Sequence, residues 1–417
     1  MKRLLPSPTL VSLFEEPIVL RQSFGFLDHK DMRTCRLTCK LWRDTLFAVP
    51  NFLTYYFSKT EVIKGKTSQE SYEIFTRLVK GNYSVSEYTS HESTINSVLA
   101  QNNYIFSCSQ DCSIRYFDLK SNNQENSGKI FSINQPVDEI ALLNNQSLAG
   151  TAFQTLWVWD FIADTRRSFS FSNDPLQPNL SYNLSKVVSY KENPIFSCTK
   201  IVDEEVVEGV IFHLDLATQN LTKLFSWIGV DKNESDITPL QLDGDSLAGG
   251  CLDGTIILID LAAQKNVIKK IHSKAISSLV FCGSYLISSD TEGRVKVADR
   301  CTLEIITDNP LPKAMTHDQI YQLTSWNKMI ISVSHGINRP AYGKLQHLKL
   351  CKLWNLAGLW LPIEHLSFPI TNPITELSLN QFKPVVVNQD NFISFKEKHI
   401  IVIDFSNDKK VIINNQT

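Results

Sequence analysis

Downstream of about residue 80 the chain alternates apolar and polar residues in short runs broken by Asn, Asp, Gly and Ser. That pattern predicts half-buried strands joined by tight turns, an all-β array. One motif recurs: an aliphatic or aromatic run ending in Asp or Asn, at Ser113–Asp118, Leu156–Asp160, Val210–Asp215, Thr255–Asp260, Val295–Asp299, Leu350–Asn355 and Ile400–Phe405. Each run follows an apolar strand ending in small residues, at Tyr104–Cys108, Gln146–Gly150, Pro194–Cys198, Asp245–Gly249, Tyr285–Ser289, Lys328–Ser332 and Asn391–Ser394. A further strand comes first in the unit, as at Thr94–Leu99 and Ala275–Val280. Asp118 and Asp160 lie 42 residues apart, and Asp260 and Asp299 lie 39 apart. The spacing widens to 55 at Asp215 and to 56 at Asn355, so the third and sixth of seven units carry insertions.

Upstream the periodicity is helical. Leu20, Phe24 and Leu27 share one helix face, and Met32, Cys35, Cys39 and Trp42 share another. Asp28 to Asp31 form a polar turn between them, with Asp31 placed to cap the second helix. Two short helices cannot bury both stripes on each other, so they need a partner. A third helix is predicted from Ser68 to Gly81: Ser68 caps it, Tyr72, Phe75 and Val79 share a face, and Gly81 ends it.

Composition narrows the function. The 417 residues suffice for one large domain and a small one, and a net charge of -2 gives no field for steering onto nucleic acid or anionic lipid. Cysteines number nine, scattered and without paired C-x-x-C sets, so free thiols in a reducing compartment are expected and a zinc site is not. Pro6 and Pro8 interrupt the apolar N-terminus and Glu15 and Glu16 end it, unlike a signal peptide. No apolar stretch reaches bilayer-spanning length. The expectation is a soluble cytoplasmic or nuclear protein with no cofactor.

Phe24, Leu27, Asp28, Asp31, Cys35, Cys39, Lys40, Trp42, Arg43, Pro50 and Phe52 stand where the F-box has them, with Met32 in place of a leucine. The segment resembles an F-box, although its Leu-Pro start is degenerate: Leu13-Phe14 is the nearest match, and Ser23 replaces an apolar residue. The repeated units resemble WD repeats, with Trp159-Asp160 spelling the signature dipeptide and lone His91, His272 and His317 standing for the Gly-His pair. The resemblance implies a mostly β chain: a seven-bladed WD-repeat β-propeller over 82–417, preceded by a small all-α F-box over 1–52 and a helical linker over 53–81. One of two candidate strands, 83–88 or 410–414, completes the last blade.

The implied role is non-catalytic: a substrate receptor of an SCF-type ubiquitin ligase. The F-box docks on a Skp-type adaptor, and through it a cullin–RING scaffold, by Leu20, Phe24, Leu27, Met32, Cys35, Cys39 and Trp42. The propeller presents a protein substrate; neither nucleic acid nor membrane is an expected partner. Two alternatives stay open: a propeller scaffold unrelated to ubiquitin, and a bacterial effector that borrows a host ligase and works in the host cytosol.

His91, Ser107 and Asp111 could suggest a hydrolase triad. In WD repeats that trio is structural, completed by a strand aromatic, here Phe117, and its partial recurrence as His272, Ser288 and Glu292 favours scaffolding. The Leu252-Asp-Gly254 turn reads as a hairpin, because no helix follows to make it a phosphate loop. In F-box receptors for phosphorylated degrons, arginines recur in the turn between the second and third strands. Counting back eight residues from each strand-end Asp, or its substitute, places Gln110, Ala152, Val207, Leu252, Thr291, His347 and Lys396 there. Gln110, Leu252, Thr291 and Lys396 are the candidate substrate contacts. Lys396 alone is a fixed cation, and a phosphate wants a fork of charged donors, so the expected substrate binds through neutral and apolar contacts.

Overall fold

The computed structural model describes residues 84–89, 91–101, 104–118, 127–174, 177–229, 235–308, 320–326, 329–334, 347–349, 352–355, 360–361, 367–369, 383–388, 391–396 and 399–404. The three helices expected upstream, with every adaptor-facing residue named above, lie outside the described residues.

Among the described residues, seven antiparallel sheets have four or five strands. The first comprises Ile95–Gln101, Tyr104–Ser109, Ser113–Asp118 and Ser127–Ser132. The second runs Glu139–Leu142, Ser147–Ala152, Thr155–Asp160 and Thr165–Ser170. In the third, Gln177–Tyr190, Asn193–Val202, Glu205–Asp215 and Asn220–Trp227 are joined by a short edge strand, Ser172–Asp174. The fourth holds Ile237–Asp243, Ser246–Cys251, Thr255–Asp260 and Lys265–Lys270; the fifth holds Ile276–Cys282, Tyr285–Asp290, Val295–Asp299 and Ile305–Asp308. Ile320–Trp326, Met329–Ser334, Lys352–Asn355 and Trp360–Leu361 form the sixth. His347–Lys349, between its second and third strands, pairs with Ser367–Pro369, which follows its last strand, as a separate two-stranded sheet.

The seventh sheet takes Lys383–Asn388, Asn391–Lys396 and His399–Asp404 from one end of the array and Ser84–Thr89 from the other. Ser84 faces Asp404 and Thr89 faces His399 in that ladder. Of the two strands expected to complete the last unit, the upstream one does so; 410–414 lies outside the described residues. The first strands of successive sheets are neighbours, and the order returns on itself, with Lys383–Asn388 beside Ile95–Gln101.

The apolar core lies between the sheets. Phe106, Cys108, Ile114 and Phe131 of the first meet Val137, Ile140, Leu148 and Trp159 of the second. Ile195 and Ile211 of the third meet Ile237, Leu247 and Ile257 of the fourth. Ile95, Val98 and Ile105 meet Ile400 across the junction of seventh and first. The fourth sheet's second strand is pressed from both faces, Leu247 by the third sheet and Ala248 by the fifth, which explains its small residues. A Cβ added to Gly249 would fall 2.7 Å from Ile237, and one on Gly250 would fall 2.6 Å from Ile276. The fourth strands of the second and fourth sheets, Thr165–Ser170 and Lys265–Lys270, face solvent and read as polar.

The strand-end aspartates have a local cause. Oδ1 of Asp160, Asp215, Asp260 and Asp299 each accepts two backbone N–H bonds, from the residues two and three further on, at 2.8–3.0 Å. Each turn then closes through a left-handed residue: Asp164, Gln219, Gln264 and Leu303 have φ of 53°, 58°, 53° and 56°. The repeat is a turn requirement written as a side chain.

Candidate functional site

The turns between second and third strands share one end of the molecule with the connections that enter each following sheet. Ile133 N–H, on such a connection, bonds Cys112 O at 2.8 Å, and Gln110 N–H bonds Thr94 O at 2.9 Å. Side chains stiffen these turns. Asp111 Oδ1 accepts from Ser113 N–H at 3.0 Å, and Asp253 Oδ1 from Thr255 N–H at 2.9 Å. Cys112, Gly254 and Gly293 follow in the left-handed region, at φ 63°, 87° and 82°.

The buried histidines anchor the same turns. His91 Nδ1 donates to Asp111 Oδ2 at 2.9 Å, and its Nε2 accepts from Ser107 Oγ at 2.8 Å. Burial holds this imidazole below its ordinary value, outweighing the Asp111 carboxylate. In the fifth sheet His272 Nε2 meets Ser288 Oγ at 2.8 Å, but Nδ1 donates to Asp290 Oδ2 at 3.1 Å. The acid is thus Asp290, two residues ahead of the expected Glu292. Asp290 ends its strand fully buried and also accepts the Glu292 and Arg294 N–H groups, at 3.0 and 2.9 Å. Glu292 points outward instead and pairs with Lys274 and Arg294. Both serine hydroxyls are buried within a sheet, Ser107 at 0% and Ser288 at 1% exposure, out of reach of any substrate. Phe117 packs beside Ile105 in the core between the seventh and first sheets.

The turn residues inferred by counting are only partly brought together. Gln110 and Thr291 are exposed at turn tips, and Leu252 is half-buried in its own turn. Ala152 ends its strand fully buried. Lys396 ends Asn391–Lys396, opposite His399. Val207 is misplaced: the third sheet turns at Asp203-Glu204, and Val207 sits inside Glu205–Asp215, at the bulge between the Lys200–Glu208 and Ile201–Val206 pairs. His347 belongs to the inserted two-stranded sheet. Counting back eight residues assumes a third strand of ordinary length, which neither unit has.

Counting does not reach an exposed aromatic on this end, the most exposed among the described residues. Phe153, in the turn between Ser147–Ala152 and Thr155–Asp160, is 52% exposed with φ 47°, a conformation costly for a bulky side chain. It is held there by its N–H on Asp138 Oδ2 at 3.3 Å and by its carbonyl, which accepts Leu184 N–H at 2.6 Å. Beside it the third sheet has longer second and third strands than the first, Asn193–Val202 and Glu205–Asp215 against Tyr104–Ser109 and Ser113–Asp118. The run Ile-Phe-Ser-Cys aligns 195–198 with 105–108, so Val202 stands three residues past the level at which the first sheet ends, roughly 10 Å. The lip is capped by Asp203 and Glu204, both left-handed at φ 51° and 67°.

Carboxylates dominate this sector. Asp138, Asp203, Glu204 and Glu205 are exposed, and Asp236 takes hydrogen bonds from Ser185 and Thr199. Among the described residues Lys186 pairs with Glu139, which also accepts from Ser97, and Lys200 with Glu208 at 3.2 Å. Further round the ring, Arg294 is tied to Glu292 and Ser273, and Arg115 lies 3.9 Å from Asp111. Among the described residues no group of three His, Cys, Asp or Glu could hold a metal ion.

Comparison with known proteins agrees with this geometry. Residues 11–52 match the F-box domain family, and residues 82–118 match the WD domain, G-beta repeat family. No curated protein sequence matches the chain. Among solved structures, U3-55K is similar at TM-score 0.55 and 12% identity, over 77% of this chain and 98% of that one. The RRP9 WD40 repeats are similar at TM-score 0.55 and 11% identity, over 77% and 97%. At such identities the shared property is the fold, a mostly β array of blade-like sheets.

Proposed function

We propose that this chain, an F-box protein with WD repeats, is the substrate-recognition subunit of an SCF-type ubiquitin ligase. The observation that carries the reading is the pairing itself: an F-box match at 11–52 stands ahead of a WD-repeat match and the array of sheets that follows. The F-box docks on a Skp-type adaptor through Leu20, Phe24, Leu27, Met32, Cys35, Cys39 and Trp42, and the adaptor hangs the chain on a cullin–RING scaffold. The sheets close as a seven-bladed propeller whose turn-bearing face holds the target protein. The chain performs no bond chemistry; it contributes proximity, keeping a target lysine near a charged conjugating enzyme.

The face supports a target that needs no phosphate. Gln110, Leu252 and Thr291 are uncharged, Arg115 and Arg294 are tied to neighbouring carboxylates, and Lys396 is a single cation. A phosphate site wants several converging charged donors.

Size-exclusion co-elution with a Skp-type adaptor tests the reading. A complex is expected at micromolar concentration and is expected to be lost in Phe24→Ala/Leu27→Ala and in Trp42→Ala. Absence of the complex with the unaltered chain, folded by circular dichroism, would remove the ligase assignment.

A further inference from the structure

We propose that Ser273 is a phosphorylation site for a protein kinase that selects lysine or arginine ahead of its acceptor, and that Arg294 and Lys274 hold the phosphate once it is made. The modification stands apart from the ligase reading; only its effect on a target rests on that reading.

Ser273 and Lys274 are exposed at a bend in the connection that enters the fifth sheet, directly after the buried Ile271 and His272. Gly254 O accepts the N–H groups of both buried residues, at 3.1 and 3.0 Å, so the bend is pinned from behind while its next two side chains stand outward. A cation already contacts the hydroxyl: Arg294 Nη1 donates to Ser273 Oγ at 2.8 Å. Ser113 and Ser246 also take arginine N–H bonds, but the first is buried and the second half-buried. Lys274 Nζ lies 3.8 Å from Glu292 Oε1, and Arg294 pairs with the other oxygen of that carboxylate. Two cations thus share one carboxylate beside an exposed hydroxyl. Asp290, the other acid of the turn, is buried and committed to His272 and to the Glu292 and Arg294 N–H groups. The approach is basic as well. Lys269 and Lys270, four and three residues ahead of Ser273, end the outermost strand of the fourth sheet, which is already extended. Lysines on an extended segment ahead of a hydroxyl suit an acidic kinase cleft.

In the transfer, Ser273 Oγ bonds the γ-phosphorus of ATP, the bond from that phosphorus to the ADP oxygen breaks, and the hydroxyl proton passes through the kinase to water. The phosphoserine carries a charge of about −1.5 to −2 and three strong acceptor oxygens. Arg294 turns from Glu292 to meet them as a charge-assisted fork, and Lys274 supplies a further donor. Thr291 belongs to the same turn, and its N–H bonds Ala275 O at 3.0 Å. The new charge therefore arrives beside one of the candidate target contacts.

Two readouts on the full chain test this. The chain is incubated with ATP and magnesium and, separately, with cyclic-AMP-dependent kinase, protein kinase C or an acidophilic casein kinase, and the sites are mapped by mass spectrometry. Ser273 is expected to be labelled by a basophilic enzyme and not by the acidophilic one. Ser273→Ala is expected to lose that label and Ser273→Thr to keep it as phosphothreonine. Lys269→Gln/Lys270→Gln is expected to slow labelling about tenfold while melting within about 1 °C of the unaltered chain. By phosphorus NMR the phosphate is expected to titrate about half a unit below its ordinary value near 6, and Arg294→Gln to restore that value. No label at Ser273 from either basophilic enzyme, equal labelling by the acidophilic one, or an unchanged rate in the lysine variant would overturn the site. An ordinary titration in both chains would overturn the roles of Arg294 and Lys274. Neither readout needs the adaptor, so this inference and the ligase reading fail separately.

Discussion

Replacing Asp290 by alanine is expected to destabilise the array far more than replacing Glu292, although both are acids two residues apart in one turn. Asp290 is fully buried and answers three donors: His272 Nδ1–H, Glu292 N–H and Arg294 N–H. Burial pushes its carboxyl up, but the His272 bond and those backbone donors outweigh it and hold the carboxyl below its ordinary value. Removing it leaves three donors without their acceptor in a site with little access for water. At about 1–3 kcal/mol for each stranded donor, and allowing for partial relaxation, the loss is roughly 3–5 kcal/mol. Glu292 is 41% exposed at its side chain and makes only surface ion pairs, so its removal costs under about 1 kcal/mol. Asp290→Asn falls between, at about 1–2 kcal/mol, because the imidazole can change tautomer and accept from the new amide. By calorimetry a ring of this size loses on the order of 5 °C for Asp290→Ala and about 1 °C for Glu292→Ala. Equal shifts for the two, or a larger one for Glu292→Ala, would refute the assignment of the turn acid.

Other perturbations separate the remaining claims. Gly254→Ala is expected to cost about 2–5 kcal/mol, since its φ is 87° and a Cβ would fall 2.2 Å from His272 O; Gly244→Ala, at φ 61° with open space around it, costs about 1 kcal/mol. Urea titration would show the contrast. His91 titrates below its ordinary 6.5 in the folded chain, so its contribution to stability is complete above about pH 6.5 and is lost as pH falls through the folded value. The urea midpoint is expected to drop over that window, and His91→Gln to flatten the drop. Deleting residues 383–404 is expected to unfold the whole array in one step; a stable proteolytic fragment ending near residue 300 would contradict this. Partners captured by the chain from lysate are expected to survive phosphatase treatment, and their loss would show a phosphate-reading face.

The sheets were legible because their signals are local. A strand-end aspartate is needed two and three residues on, so the sequence carries it at the same place in unit after unit. Small residues in the fourth sheet's second strand were equally legible, because it is squeezed by both neighbouring sheets. What failed was anything depending on length between signals. Val207 and His347 are misplaced because the third sheet's hairpin is long and the sixth's connection carries a strand that pairs outside its sheet. Glu292 was preferred to Asp290 because the fifth turn draws its acid from the strand end, a shift that a fixed offset from Ser107 and Asp111 cannot anticipate. Phe153 carries no repeat signal because it occupies a turn position usually given to glycine; an aromatic there, between two strands, is the one mark it leaves in the sequence.

The strand that closes the ring has a consequence for how the protein is made. Thr89 pairs with His399, about three hundred positions later in the chain, so Ser84–Thr89 leaves the ribosome long before its partner exists. At bacterial or eukaryotic synthesis speeds that interval is roughly 15–60 s. During it the F-box segment is already complete while the ring is still open. An aborted chain lacking His399–Asp404 would carry an unpaired Ser84–Thr89 strand and the uncovered flank of the first sheet. Joining the two ends of the array in one sheet therefore makes the synthesis of His399–Asp404 the step at which the ring can first close.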